Sequence, residues 1–162
     1  MTTSNLKHRT GLFKGTILTL DVYDYHIEHI SEETLSNVEI CPNDLFALFY
    51  TSGSTGKSKA VRITHGNVAA YCQWYRDYFQ PHEGIVIGAY NAFAFDASVT
   101  DMFTTLSSGA TLAIVPERLK NDIRAVAEYV DNQQIEIIDL PTQIGRLFAM
   151  HERCNTLRHI VL

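Results

Sequence analysis

The chain has 162 residues, 46% of them hydrophobic and 19% charged, with a formal net charge of −5. That length and apolar share are enough for one domain with a sizeable core. The acidic balance, with no basic cluster beyond Lys57, Lys59 and Arg62, excludes nucleic acid as a main partner, and no apolar run reaches the ~20 residues that a membrane span needs.

Residues 1–40 form the least patterned segment, and residues 41–162 form the core of the reading. Met1–Thr10 is polar and lacks the apolar centre of a signal peptide. Thr16–Leu20 reads as a short strand, and residues 21–44 are acidic, mostly polar and loop-like. His26 and His29 stand at a spacing that can suit a metal, but among acidic residues in a loop, and no metal site is assigned there. Cys41, Cys72 and Cys154 are odd in number, widely spaced and without a CxxC pair. Neither a disulfide frame nor a zinc site is indicated, and reduced thiols in a cytoplasmic protein are the expectation.

Leu45–Thr51 reads as a buried strand that opens into Thr51-Ser52-Gly53-Ser54-Thr55-Gly56-Lys57-Ser58-Lys59. Glycines let a backbone approach closely, successive N–H groups in turns make an anion nest, and hydroxyls and lysines add donors and charge. Such a loop can surround a phosphate. A solvent-exposed Gly/Ser turn between two strands explains the same composition. A Walker A loop is rejected, because it needs a glycine five residues before Gly56, where Thr51 stands, and no strongly helical segment starts at Lys57.

Val61–Ile63 is a second short strand. His65–Phe79 reads as a helix capped by Thr64, with Val68, Tyr71, Cys72, Tyr75, Tyr78 and Phe79 on one stripe. Ile85–Tyr90 is a buried-type strand. A helix from Ser98 to Gly109 carries Val99, Met102, Phe103 and Leu106 at i, i+3, i+4 and i+7, with Ser98 and Asp101 at capping-box spacing. Thr111–Val115 is a strand stopped by Pro116, and Asp122–Asn132 is a helix. Ile135–Leu140 is a strand, Pro141 opens a helix with Ile144, Leu147 and Phe148, and Leu157–Leu162 is a last strand. This alternation predicts an α/β fold, a mainly parallel sheet of about five or six strands flanked by helices, with ligands at the strands' carboxyl ends.

Two segments carry a family resemblance. Tyr50–Lys59 resembles the phosphate-binding signature of the adenylate-forming (AMP-binding) superfamily, approximately Tyr-Thr-Ser-Gly-Ser/Thr-Thr-Gly-x-Pro-Lys-Gly. It matches through Gly56 and at Lys59, with Ser58 in place of proline and Ala60 in place of glycine. Phe95-Asp96-Ala97-Ser98 is similar to the core motif of the amino-acid-activating adenylation domains of nonribosomal peptide synthetases. The resemblance implies that residues 41–162 are a partial adenylation core, truncated at both ends relative to the family. It implies ATP held at its β- and γ-phosphates by Thr51, Ser52, Gly53, Ser54, Thr55, Gly56 and Lys59. It further implies Asp96 paired with the α-ammonium of an amino acid, and Ala97, Thr100 and Asp139 lining a side-chain pocket, with a polar or cationic side chain favoured.

The family reaction joins a substrate carboxylate to the α-phosphate of ATP, releasing pyrophosphate. The acyl group then passes to a thiol, the phosphopantetheine arm of a partner carrier domain. The family's Mg2+-binding carboxylate, ribose-binding aspartate and catalytic lysine have no counterpart among these residues. No catalytic or metal-binding residue is therefore assigned, and the full reaction is not expected of this chain alone. Three readings stand: part of an amino-acid-activating ligase, part of an acyl-CoA or carrier-protein ligase, or a non-catalytic remnant or interaction module. Phe95-Asp96-Ala97-Ser98 favours the first.

Overall fold

The computed structural model of the protein describes Gly11 and residues 39–52 and 58–162. The chain divides into two compact units, Met1–Glu39 and Ile40–Leu162, and the architecture below is that of the second. The expected strand at Thr16–Leu20 and the pair His26 and His29 lie outside the described residues.

Four short apolar strands build the centre: β3 (Val86–Ala89), β4 (Thr111–Ile114), β5 (Ile135–Asp139) and β6 (His159–Val161). They pair in the order β4-β3-β5-β6, and every pairing is parallel. Strands covered on both faces read as continuous apolar runs, which is why Ile85–Tyr90 and Ile135–Leu140 carry so few polar side chains. The register of β3 against β5 shifts between Val86 and Ile87, where Ile135 and Ile137 are the successive partners. This irregularity sets Ile135 and Ile138 in one core cluster and Ile137 in the other. Gly88 is required by the same pair of strands: a Cβ there would lie 3.0 Å from the Ile138 side chain.

Helices cover both faces. Helix α1 (His65–Phe79) brings Tyr75 to the cluster of Ile85, Ile87, Ala110 and Ile137. Helices α3 (Ile123–Asn132) and α4 (Thr142–His151) bring Val126, Val130 and Phe148 to Val115, Ile135, Ile138 and Leu140. The termini follow local chemistry. The Thr64 hydroxyl accepts from Asn67 N at 3.2 Å while Asn67 Oδ1 accepts from Thr64 N at 3.0 Å, a reciprocal cap on α1. Asp122 caps α3 through the N–H groups of Arg124 and Ala125. The stripe expected on α1 is only partly covered: Cys72 and Tyr75 are buried and Val68 and Phe79 half-buried, but Tyr71 and Tyr78 are exposed, and Tyr78 stacks on Trp74 outside the stripe.

Two expectations are corrected. The strand β1 (Leu45–Thr51) does not join the parallel sheet. It pairs antiparallel with β2 (Lys59–Thr64) in a separate two-stranded sheet, and Leu45, Leu48 and Tyr50 are exposed. The antiparallel pairing follows from length: residues 52–58 are enough for a hairpin, whereas a parallel return needs a crossover of a dozen or more residues.

The second correction concerns the segment after β3. A short helix α2 (Ala97–Val99) runs into a π-helical turn, Thr100–Thr104, and the chain turns out at Gly109, whose φ is +70°. The apolar residues were expected to face inward. Instead Ser98, Asp101, Thr104 and Thr105 are buried, while Phe103 and Leu106 are exposed. Hydroxyls that donate to carbonyls of their own segment can be buried cheaply. Thr104 donates to Thr100 O, Thr105 to Asp101 O, and Ser98 to Phe95 O at 2.7 Å. Phe103 finds its partner in the hairpin, edge-on to Phe46 with ring centroids 5.0 Å apart. Among the described residues no helix is long and apolar enough to cross a membrane.

Candidate functional site

The strand order places a switch point. From β3 the chain moves outward to β4, then returns past β3 to β5 and continues to β6. The reversal falls between β3 and β5, and ligands of open parallel sheets bind beyond the carboxyl ends of strands at such a point. Asn91 follows β3 there, and Asp139 ends β5.

A cavity of about 400 Å³ lies among elements that precede and follow β3 in the chain. Its walls come from three elements. The hairpin supplies Phe49 and Ile63, helix α1 supplies Asn67, Val68, Tyr71 and Cys72, and the α2 region supplies Asp96, Ala97, Val99 and Thr100. The wall is mostly apolar, and Asp96 is the one carboxylate among these residues. Its Oδ1 accepts from Ala97 N at 3.0 Å at the start of α2, and the rest of the side chain is exposed. Ser98 is not the cap expected from its spacing to Asp101. It lies inside the helix and its hydroxyl donates to Phe95 O and, at 3.3 Å, to Phe93 O. Burial pushes the Tyr71 phenol up, opposed by its hydrogen bond with Thr100.

Behind the cavity wall sits a second polar group. Asp101 is 2% exposed. Its Oδ2 accepts from Asn91 N at 3.2 Å and from Asn91 Nδ2 at 3.3 Å. The same amide nitrogen reaches Asp139 O at 3.5 Å. Desolvation raises the Asp101 carboxyl to about 7; the Asn91 hydrogen bonds oppose that rise and the Asp139 charge adds to it. Burial raises Asp139 to about 6, opposed by the Asn91 amide.

Three of the four residues expected to contact substrate, Asp96, Ala97 and Thr100, therefore line one cavity. Asp139 is not among its lining residues, and its carbonyl accepts from Asn91 Nδ2 at 3.5 Å. Of the residues expected to hold phosphate, Thr51 and Lys59 face each other across the hairpin ladder, and Ser52 is exposed beside them. Gly53, Ser54, Thr55 and Gly56 lie outside the described residues. The loop leads into β2 rather than a helix, which agrees with the rejection of a Walker A loop. Sequence reasoning missed Asn67, Tyr71 and Cys72 as cavity residues, and Asn91 and Asp101 as a linked pair. The polar spacing Ser98, Asp101, Thr105, at i, i+3 and i+7, was the available signal for the last.

Comparison with known proteins shows the family. The AMP-binding enzyme family matches residues 6–161. An L-proline--[L-prolyl-carrier protein] ligase of Streptomyces coelicolor is 42% identical over 98 residues, 60% of this chain and 18% of the ligase. Tyrocidine synthase 1 of Brevibacillus parabrevis is 32% identical over 161 residues, 98% of this chain and 14% of the synthase. Among solved structures, the Vibrio cholerae adenylation domain AlmE in complex with glycyl-adenosine-5'-phosphate superposes with a TM-score of 0.62 at 29% identity. It covers 68% of this chain and 20% of its own. The chain thus spans less than a fifth of each of the two curated relatives. With its match extending over residues 6–161, the chain belongs to the AMP-binding enzyme family.

Proposed function

We propose that this chain supplies the phosphate loop and part of the amino-acid pocket of an ATP-dependent adenylation enzyme. The observation that carries this reading is the convergence of Asp96, Ala97 and Thr100 on one cavity. The Asp96 carboxylate pairs with the substrate's α-ammonium, since a cation leaving water needs a charged partner. The loop from Thr51 to Lys59 neutralises the β- and γ-phosphates. The substrate carboxylate forms a bond to the α-phosphorus, pyrophosphate leaves, and the acyl group later passes to a phosphopantetheine thiol on a carrier domain. Mg2+ accompanies ATP. Among the described residues no group of three or more His, Cys, Asp or Glu is placed to hold a metal, so none of them is assigned to it.

The expected preference for a polar or cationic side chain is revised here: Asp139 does not line the cavity, and the apolar walls favour an apolar or small substrate side chain. The relative that acts on L-proline supports this, since proline is apolar. The test is amino-acid-dependent ATP–pyrophosphate exchange by an intact adenylation enzyme that carries this segment. Asp96→Ala should abolish exchange while the protein stays folded. Persistence of exchange, or equal activation of des-amino acids by the unsubstituted protein, would favour the acyl-CoA or carrier-protein ligase reading.

A further inference from the structure

We infer that Asn91, gripped by Asp101, is a positioning residue that holds the loop carrying Asp96 in place against the end of β5. The inference rests on the reading of Asp96 as the ammonium-binding group. Residues 90–96 join β3 to α2, and they are tied near both ends. At the far end Ser98 donates to the carbonyls of Phe93 and Phe95. At the near end one carboxylate oxygen of Asp101 takes both N–H groups that Asn91 can aim at it, one from its backbone and one from its side chain. An amide nitrogen carries two hydrogens, and the second points to the carbonyl of Asp139. Asn91 therefore bridges the two strands that flank the switch point.

Asp101 is itself fixed. It lies within the π-helical turn, and Thr105 donates to its carbonyl oxygen. Interruptions of this kind re-aim single side chains and recur at functional sites. A buried carboxylate without a contacting cation is a poor choice for stability alone, because a neutral acceptor of the same shape avoids the desolvation cost. What the charge provides is a stronger grip on two donors of one residue. The groups that face it are Asp139 from β5, Lys120 after the 3₁₀ turn Glu117–Leu119, and the phenols of Tyr71 and Tyr75 from α1.

The experiment compares the unsubstituted protein, Asn91→Ala and Asp101→Asn, each within an intact adenylation enzyme that carries this segment, by amino-acid-dependent ATP–pyrophosphate exchange across pH. Asn91→Ala should raise KM for the amino acid on the order of tenfold, with KM for ATP unchanged. Asp101→Asn keeps the shape and should raise it less. In the unsubstituted protein KM for the amino acid should rise as pH falls below neutrality, where Asp101 takes up a proton, and Asp101→Asn should lose that inflection. A purely architectural role would leave the inflection in place. Hydrogen exchange adds a readout free of catalysis: Asn91→Ala should lose protection across residues 91–97 and not across α3 or α4. Unchanged KM values, or equal increases for ATP and amino acid, would overturn the positioning role alone. Absence of amino-acid-dependent exchange in the unsubstituted intact enzyme would overturn the pocket reading and this inference with it.

Discussion

Replacing Asp101 with asparagine should make the protein more stable at alkaline pH and leave it unchanged at acid pH. In the folded protein the Asp101 carboxyl titrates at about 7, against 3.8 for the free side chain, mainly because burial disfavours the charge. Between these two values the native state holds a proton that the unfolded state has released. Stability is therefore highest below about pH 4, falls as pH rises toward 7, and stays at its lower value above. A gap of about 3 units at 1.36 kcal/mol each gives about 4 kcal/mol as an upper bound. Asp139, raised to about 6, acts with the same sign, and the two carboxylates release their protons as a pair. Asparagine carries no charge at any pH and keeps an oxygen that accepts from Asn91, at a cost of about 1 kcal/mol for the weaker hydrogen bonds. Urea unfolding at about pH 4 and about pH 8 reads the difference directly. The variant should gain roughly 2–3 kcal/mol over the unsubstituted protein at the higher pH and nothing at the lower. A stability difference that does not vary with pH, or a variant less stable at about pH 8, would refute the assignment of a buried, charge-penalised Asp101.

Phe148→Ala should cost about 3–5 kcal/mol in urea unfolding, because the ring is 2% exposed between α4 and the sheet. Leu106→Ser should stay within ~0.5 kcal/mol, since that side chain is exposed, and a large loss there would mean that the apolar face of the segment is buried after all. Lys59→Ala should weaken binding of ATP more than binding of AMP in calorimetry on the full chain, because the proposed contact is to the distal phosphates. Equal losses would place the lysine elsewhere.

The alternation of strands and helices from Val86 onward was legible because each element carries its own signal. Strands covered on both faces are continuous apolar runs, and α1 and α3 announce their starts with Thr64 and Asp122. The two motifs were legible because each is a contiguous run of residues. What stayed hidden depends on partners distant in sequence. The fate of β1 turned on whether seven residues, 52–58, could support a crossover, and its apolar run does not record that limit.

Which face of the segment after Asp96 turns inward was likewise undecided by pattern. The stripe of Val99, Met102, Phe103 and Leu106 and the stripe of Ser98, Asp101 and Thr105 have the same periodicity. Hydrophobicity alone favours burying the first. Tertiary structure chose the second, because the hydroxyls find carbonyls within their own segment and Asp101 finds both N–H groups of Asn91, ten residues away. A sequence states what each side chain can offer, apolar surface or a donor or an acceptor. Whether a buried polar group is affordable depends on a partner at hydrogen-bond distance, and only the folded chain brings that partner there.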